Sequence, residues 1–125
     1  MNESPLILYV EDNQDNLKLV KRILQAYGFV FQGASNNKEA FAFLNQYTPD
    51  LILMDINLPG IDGYAMTLQL RQRKNLADIP IIALTANVMK ADREKASAAG
   101  CNGFIQKPIN VDRLPEQILE YLNRK

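Results

Sequence analysis

The 125-residue chain contains no histidine. His-based general acid–base catalysis and His metal ligation are therefore excluded, and any phosphohistidine chemistry must take its histidine from another protein. Cysteine is nearly absent too. Cys101 stands alone, so no disulfide can close within the chain, which suits a reducing cytosol. The 14 basic and 14 acidic residues cancel to a formal charge of zero, and no segment gathers Lys or Arg into a stripe. The electrostatic footprint of phosphate-backbone binding is missing, so no direct nucleic-acid role is expected. Long apolar runs are missing as well, all falling far short of the ~20 residues that cross a bilayer. The opening MNESPLILYV carries no basic segment of a secretory signal. A cytoplasmic chain without membrane insertion is expected.

What is present is enough apolar material, 47% of the residues, for one folded domain spanning 1–125. Short apolar runs at 6–10, 29–31, 51–54, 81–84 and 104–105 have the length and flanking turn residues of strands buried on both faces. Longer helical patterns separate them. Leu17, Val20, Ile23, Leu24 and Tyr27 form one stripe ending at Gly28, placed for a left-handed C-terminal residue. Asn36 and Glu39 are spaced as a capping pair before Ala40, Phe43, Leu44 and Tyr47. A third helix is expected over 63–73 and a fourth over 88–100, the latter with a weak apolar face that packs lightly. A fifth carries Leu114, Ile118 and Leu122; Asp112 as its N-cap puts Pro115 harmlessly in the first turn. About five strands alternating with five helices make a parallel, doubly wound α/β fold with helices on both faces.

In such sheets ligands bind beyond the carboxyl ends of the strands. There the chain places Glu11 and Asp12 after the first run, Asp55 after the third, Thr85 and Ala86 after the fourth, and Lys107 and Pro108 after the fifth. Each has an ordinary explanation. Asp55, in PDLILMDINLPGIDG, suits a turn; Glu11 and Asp12 suit a helix N-terminus; Thr85 suits a cap; Lys107 suits solvent. Four independent accidents would, however, all have to choose the same edge. Three carboxylates repel unless a divalent cation sits among them, and Mg²⁺ takes carboxylate, carbonyl, water and phosphoryl oxygens. A carboxylate beside Mg²⁺ can attack phosphorus, with an ammonium and a hydroxyl dividing the remaining phosphoryl charge. On that chemistry Asp55, at the end of the middle run, is the nucleophile.

The stretches LILYVEDNQDN, DLILMDINLPGIDG, IIALTA and GFIQKPI, in this order and spacing, resemble the receiver domains of two-component response regulators over essentially the whole chain. YVEDN, where VDD is commoner, is most similar to stand-alone regulators and hybrid-kinase receivers. The resemblance implies a flavodoxin-like (βα)5 fold with strand order 2-1-3-4-5. It implies phosphorylation of Asp55 from a phosphohistidine of a sensor kinase or phosphotransfer protein. It implies Mg²⁺ held by Glu11, Asp12, Asp55 and the backbone carbonyl of Asn57, with Lys107 on the phosphoryl group and a Lys107–Pro108 bond that is often cis. Thr85 and Phe104 fall at the switch positions, the latter being Phe where many relatives have Tyr, and Asn57 and Asn87 fall at rate-tuning positions. The output surface would be the face of the fourth helix, fifth strand and fifth helix, binding a downstream protein.

Two other classes are open to such a fold. A small phosphatase working through an aspartyl phosphate would want a second carboxylate close after the nucleophile and a substrate-covering insertion, but position 57 is Asn and no insertion is visible. A flavodoxin-like binding module would want a glycine-bearing phosphate loop after the first strand, whereas EDNQDN is acidic and has no glycine. The expected role is thus a signalling switch that catalyses only its own phosphorylation and dephosphorylation.

Overall fold

The computed structural model describes residues 4–56, 63–86 and 89–123. Five strands, β1 (Leu6–Val10), β2 (Val30–Ala34), β3 (Leu51–Asp55), β4 (Ile81–Thr85) and β5 (Gly103–Gln106), form one parallel sheet in the order β2-β1-β3-β4-β5. Between and after them run helices α1 (Gln14–Ala26), α2 (Asn37–Leu44), α3 (Gly63–Arg71), α4 (Lys90–Ala99) and α5 (Leu114–Asn123). The expected fold class and strand order hold.

Strand alternation sorts the core into two layers. Ile7, Tyr9, Leu51, Leu53, Ile82, Leu84 and Ile105 face α1 and α5, meeting Val20, Leu24, Leu114 and Ile118. Leu8, Val10, Ile52, Met54, Ile81 and Ala83 face the opposite way, meeting Ala40 and Leu44 of α2, Met66 and Leu70 of α3, and Ala96 of α4. Every residue of β3 and β4 is buried, which explains why these strands read as unbroken apolar runs. The outer strand β2 is shifted from the expected 29–31, extending through Gln32 and Gly33 to Ala34. At the edge of the sheet its residues are only partly covered, so polar residues enter it and the apolar run stops being the signal.

Helix ends follow local chemistry. Asn36 Oδ1 accepts from the Glu39 backbone N–H at 2.8 Å, as the spacing suggests, while the Glu39 carboxylate reaches back to the Ser35 N–H at 2.6 Å. Gly28 and Gly100 take positive φ, 87° and 104°, closing α1 and α4. Two expectations need correction. The third helix stops at Arg71 rather than 73, because Gln72 and Arg73 bond three residues back and the chain tightens into a short 3₁₀ turn at Lys74–Leu76. The fifth helix is capped by Asn110 rather than Asp112: Asn110 Oδ1 accepts from the N–H groups of Asp112 at 3.0 Å and Arg113 at 3.3 Å. Pro115 still falls in the first turn. The fourth helix does pack lightly, burying only Ala96 and Ala99.

Arg71, the last residue of α3, ties this side of the molecule together. Its guanidinium donates to the carbonyls of Gly100 (2.9 Å), Leu76 (2.8 Å) and Ile79 (2.6 Å), and to Asn102 Oδ1, which also accepts from the Ile81 N–H at 2.8 Å. The end of α3, the start of β4 and the end of α4 thus share one cation. Arg71→Ala is expected to lower the unfolding free energy in urea by about 2–4 kcal/mol, since several carbonyls lose a charged donor at once. A change below about 0.5 kcal/mol, the range of ordinary surface substitutions, would show that the clamp contributes nothing.

Candidate functional site

The sheet ladder continues one residue past three of its strands, and those extra bonds set the site. The Glu11 N–H donates to the Ala34 carbonyl at 2.9 Å, Ile56 to Leu84 at 3.1 Å, and Lys107 to Thr85 at 2.8 Å. Glu11, Asp55, Thr85 and Lys107 therefore occupy backbone positions fixed by the sheet. The Lys107–Pro108 bond that follows is cis, as the resemblance implies.

Glu11, Asp12 and Asp55 each bring a carboxylate oxygen within 4.8 Å of the other two. Glu11 and Asp55 are buried and Asp12 is exposed. Lys107 Nζ donates to Asp55 Oδ2 at 2.8 Å and lies 3.6 Å from Glu11 Oε1. Glu11 accepts further bonds at Oε1 from the Tyr9 hydroxyl at 2.8 Å and Asn16 Nδ2 at 3.4 Å, and at Oε2 from the Asn13 N–H at 3.2 Å. Burial, and then the neighbouring Glu11 charge, push the Tyr9 phenol far above its ordinary value, so it stays protonated and donates.

The expected carboxylates and lysine are brought together. Thr85 ends β4, buried, one position beyond Leu84, the cross-strand partner of Asp55. Phe104 is opposite Ala83 in the β4–β5 register, so it shares a sheet face with Ala83 and Thr85; it is half-buried, with the Arg93 guanidinium 5.1 Å from its ring centroid. Asn57 and Asn87 lie outside the described residues. Sequence reasoning missed Tyr9, Asn16 and Arg93. Tyr9 had a signal, since residues two apart on a strand share a face and Tyr9 precedes Glu11 by two. Asn16 and Arg93 had none beyond being on flanking helices.

Magnitudes decide what this cluster wants. At an effective dielectric of 20, Lys107 attracts Asp55 by about 6 kcal/mol and Glu11 by about 4.6 kcal/mol, while Glu11 at no more than 4.8 Å repels Asp55 by about 3.5 kcal/mol or more. Asp12 adds a repulsion that solvent screens, and burial of the Asp55 carboxylate costs more still. The Lys107 ammonium formally balances one of the three carboxylate charges. The donor set would suit Mg²⁺: it is all hard oxygen, gathered within 4.8 Å.

The sequence model of the response regulator receiver domain matches residues 7–119, enclosing every site residue above. The chain belongs to the receiver domain family. The polar-differentiation response regulator DivK of Brucella anthropi is 41% identical over 116 residues, 93% of this chain and 94% of the relative. DivK of Brucella ovis is 40% identical over the same shares. The receiver domain of a Pseudomonas aeruginosa sensor histidine kinase, solved with a magnesium ion coordinated in its active-site cleft, is 33% identical with a TM-score of 0.86, covering 97% of this chain and 99% of that one. The chemotaxis response regulator CheY4 of Vibrio cholerae, 24% identical with a TM-score of 0.91 over 95% of this chain and 99% of its own, shares the fold. The protein is therefore a receiver domain of two-component signalling, a family of switches that act with histidine kinases and downstream targets. Among the described residues no helix is long and apolar enough to cross a membrane.

The charge balance gives a direct test. Without divalent cations, Asp55→Asn is expected to be more stable than the wild type by on the order of 1 kcal/mol, because an amide oxygen still accepts from Lys107 while the cost of burying a charge at position 55 is gone together with its repulsion by Glu11 and Asp12. A lower melting midpoint for the variant would mean that the Lys107 ion pair outweighs the crowding.

Proposed function

We propose that this single receiver domain, residues 1–125, takes a phosphoryl group on Asp55 from a phosphohistidine of a sensor kinase or phosphotransfer protein. The observation that carries the reading is the 2.8 Å bond from Lys107 Nζ to Asp55 Oδ2 inside a cluster of three carboxylates at the carboxyl edge of the sheet. An Asp55 oxygen forms the P–O bond as the donor's P–N bond breaks, and that electron pair leaves on the imidazole nitrogen. Glu11, Asp12, Asp55 and the Asn57 carbonyl would hold Mg²⁺, which would neutralise the carboxylates and one phosphoryl oxygen; the magnesium ion of the Pseudomonas relative supports this. Lys107, already paired with Asp55, is placed to follow the transferred charge onto a second oxygen, and the Thr85 hydroxyl takes a third.

An open depression of about 440 Å³ beside the site, lined by Leu19, Val20, Lys107 and Ile109 among others, gives a donor protein apolar surface within reach of Lys107. The chain has no histidine of its own to serve. After transfer, Thr85 drawn toward the phosphoryl group leaves room on the sheet face it shares with Phe104, and α4 shifts with the ring. The face of α4, β5 and α5 is then the output surface for a downstream protein. Asn57 and Asn87 tune the rate at which water attacks the acyl phosphate and frees Asp55. The domain catalyses only these two reactions on itself.

Incubation with Mg²⁺ and acetyl phosphate, followed by intact mass, is expected to add one phosphoryl group to the wild type and none to Asp55→Asn. Chelation of the metal should abolish the gain, and beryllofluoride should shift the amide spectrum of α4 and β5 only in the wild type. Saturating Mg²⁺ alone, at about a hundred times its Kd, should stabilise the fold by about 2.7 kcal/mol. An unmodified wild type, or a variant modified as fully as the wild type, overturns the assignment.

A further inference from the structure

We propose that Tyr9 is a positioning residue whose hydroxyl holds Glu11 in the orientation that metal binding needs; the inference rests on the reading of Glu11 as a Mg²⁺ ligand. Tyr9 is completely buried among the residues facing α1 and α5, with its ring edge-on to Phe31 at a centroid distance of 6.5 Å and an interplanar angle of 74°. A phenylalanine would fill that space equally well. A buried phenol must also satisfy its hydroxyl, so its presence adds nothing to packing and acquires a purpose only through its partner. That partner is Glu11 Oε1, at 2.8 Å.

The other donors to Glu11 are weaker guides. Asn16 Nδ2 stands at 3.4 Å, the Asn13 N–H at 3.2 Å on the other oxygen, and Lys107 Nζ at 3.6 Å is engaged with Asp55. Among the described residues, only the Tyr9 donor is both short and mounted on a buried ring. Glutamate has one more rotatable bond than aspartate, so its carboxylate sweeps a larger volume unless braced. A hydrogen bond at Oε1 fixes the plane of the group and with it the direction in which the carboxylate meets a cation. Groups that orient a metal ligand in this way typically matter 10–100-fold in affinity. Tyr9 and Glu11 thus work as a pair, one side chain lengthening the ligand and the other steadying it.

The test is a double-mutant cycle read by Mg²⁺ titration of the amide spectrum, with urea unfolding as the check on folding. Tyr9→Phe is expected to weaken Mg²⁺ binding about tenfold while remaining folded. With Glu11→Asp in place, the shorter side chain needs no brace, and adding Tyr9→Phe should change affinity by no more than about twofold. Equal Mg²⁺ affinity in Tyr9→Phe and the wild type overturns the proposal. An equal loss with and without Glu11→Asp also overturns it, since Tyr9 would then act through general packing. If the wild type itself bound no Mg²⁺, the metal site would fail and the brace with it, an outcome distinct from a wild type that binds and a variant that binds as well.

Discussion

Negative charge crowded at one edge of the sheet is the constraint to which the rest of the structure answers. Two buried carboxylates and one exposed one are held within 4.8 Å of each other, against a single ammonium. Left to flexible loops, such groups would swing apart into water. Here Glu11 and Lys107 sit one residue past their strands with backbone N–H groups still bonded into the ladder, and Asp55 is itself the last residue of the fully buried central strand. The sheet offsets the crowding by fixing the backbone at each of these residues.

The two faces of the sheet share this work unequally. The α1 and α5 face is built of large side chains, Tyr9, Val20, Leu24, Leu53, Leu84, Leu114 and Ile118, and from it comes the phenol that braces Glu11. On the other face the elements nearest Thr85 meet through small residues, Ala83, Ala96 and Ala99, with Phe104 half-buried and covered by the Arg93 guanidinium. Under the proposed function, bulk would be anchored where a ligand is aimed, and small residues would lie where an element moves.

How much of this was legible in the sequence depends on whether burial left a one-dimensional trace. Strands β1, β3 and β4 are covered on both faces, so their apolar runs marked them nearly to the residue, and the polar residues that ended each run named the site. Strand β2 lies at the edge and runs through Gln32 and Gly33, so its apolar run pointed to the wrong three residues. The cap of α5 was misplaced because both Asn110 and Asp112 can accept backbone N–H groups, and only the path of the chain after Pro108 decides between them. The Arg71 clamp left no trace, since all its acceptors but the Asn102 side chain are main-chain carbonyls, spread from Leu76 to Gly100, that any residue type could have supplied.

The lightness of α4 has an energetic logic. A ligand moves a two-state element only by the difference in its free energy with the two states, and going from 1:99 to 99:1 takes about 5.5 kcal/mol. One phosphoryl group, adding two negative charges at most and a few charge-assisted hydrogen bonds, supplies little beyond that. A helix seated on leucines would cost more to move than the modification returns. With Ala96 and Ala99 as its buried residues and a cation–π contact of about 0.5–2 kcal/mol over Phe104, α4 would, under the proposed function, stay within what a single acyl phosphate at Asp55 could shift. Arg71 would bound any such movement from the other end, since its bond to the Gly100 carbonyl ties the last turn of α4 to α3, leaving the first turn as the part to respond under the proposed function.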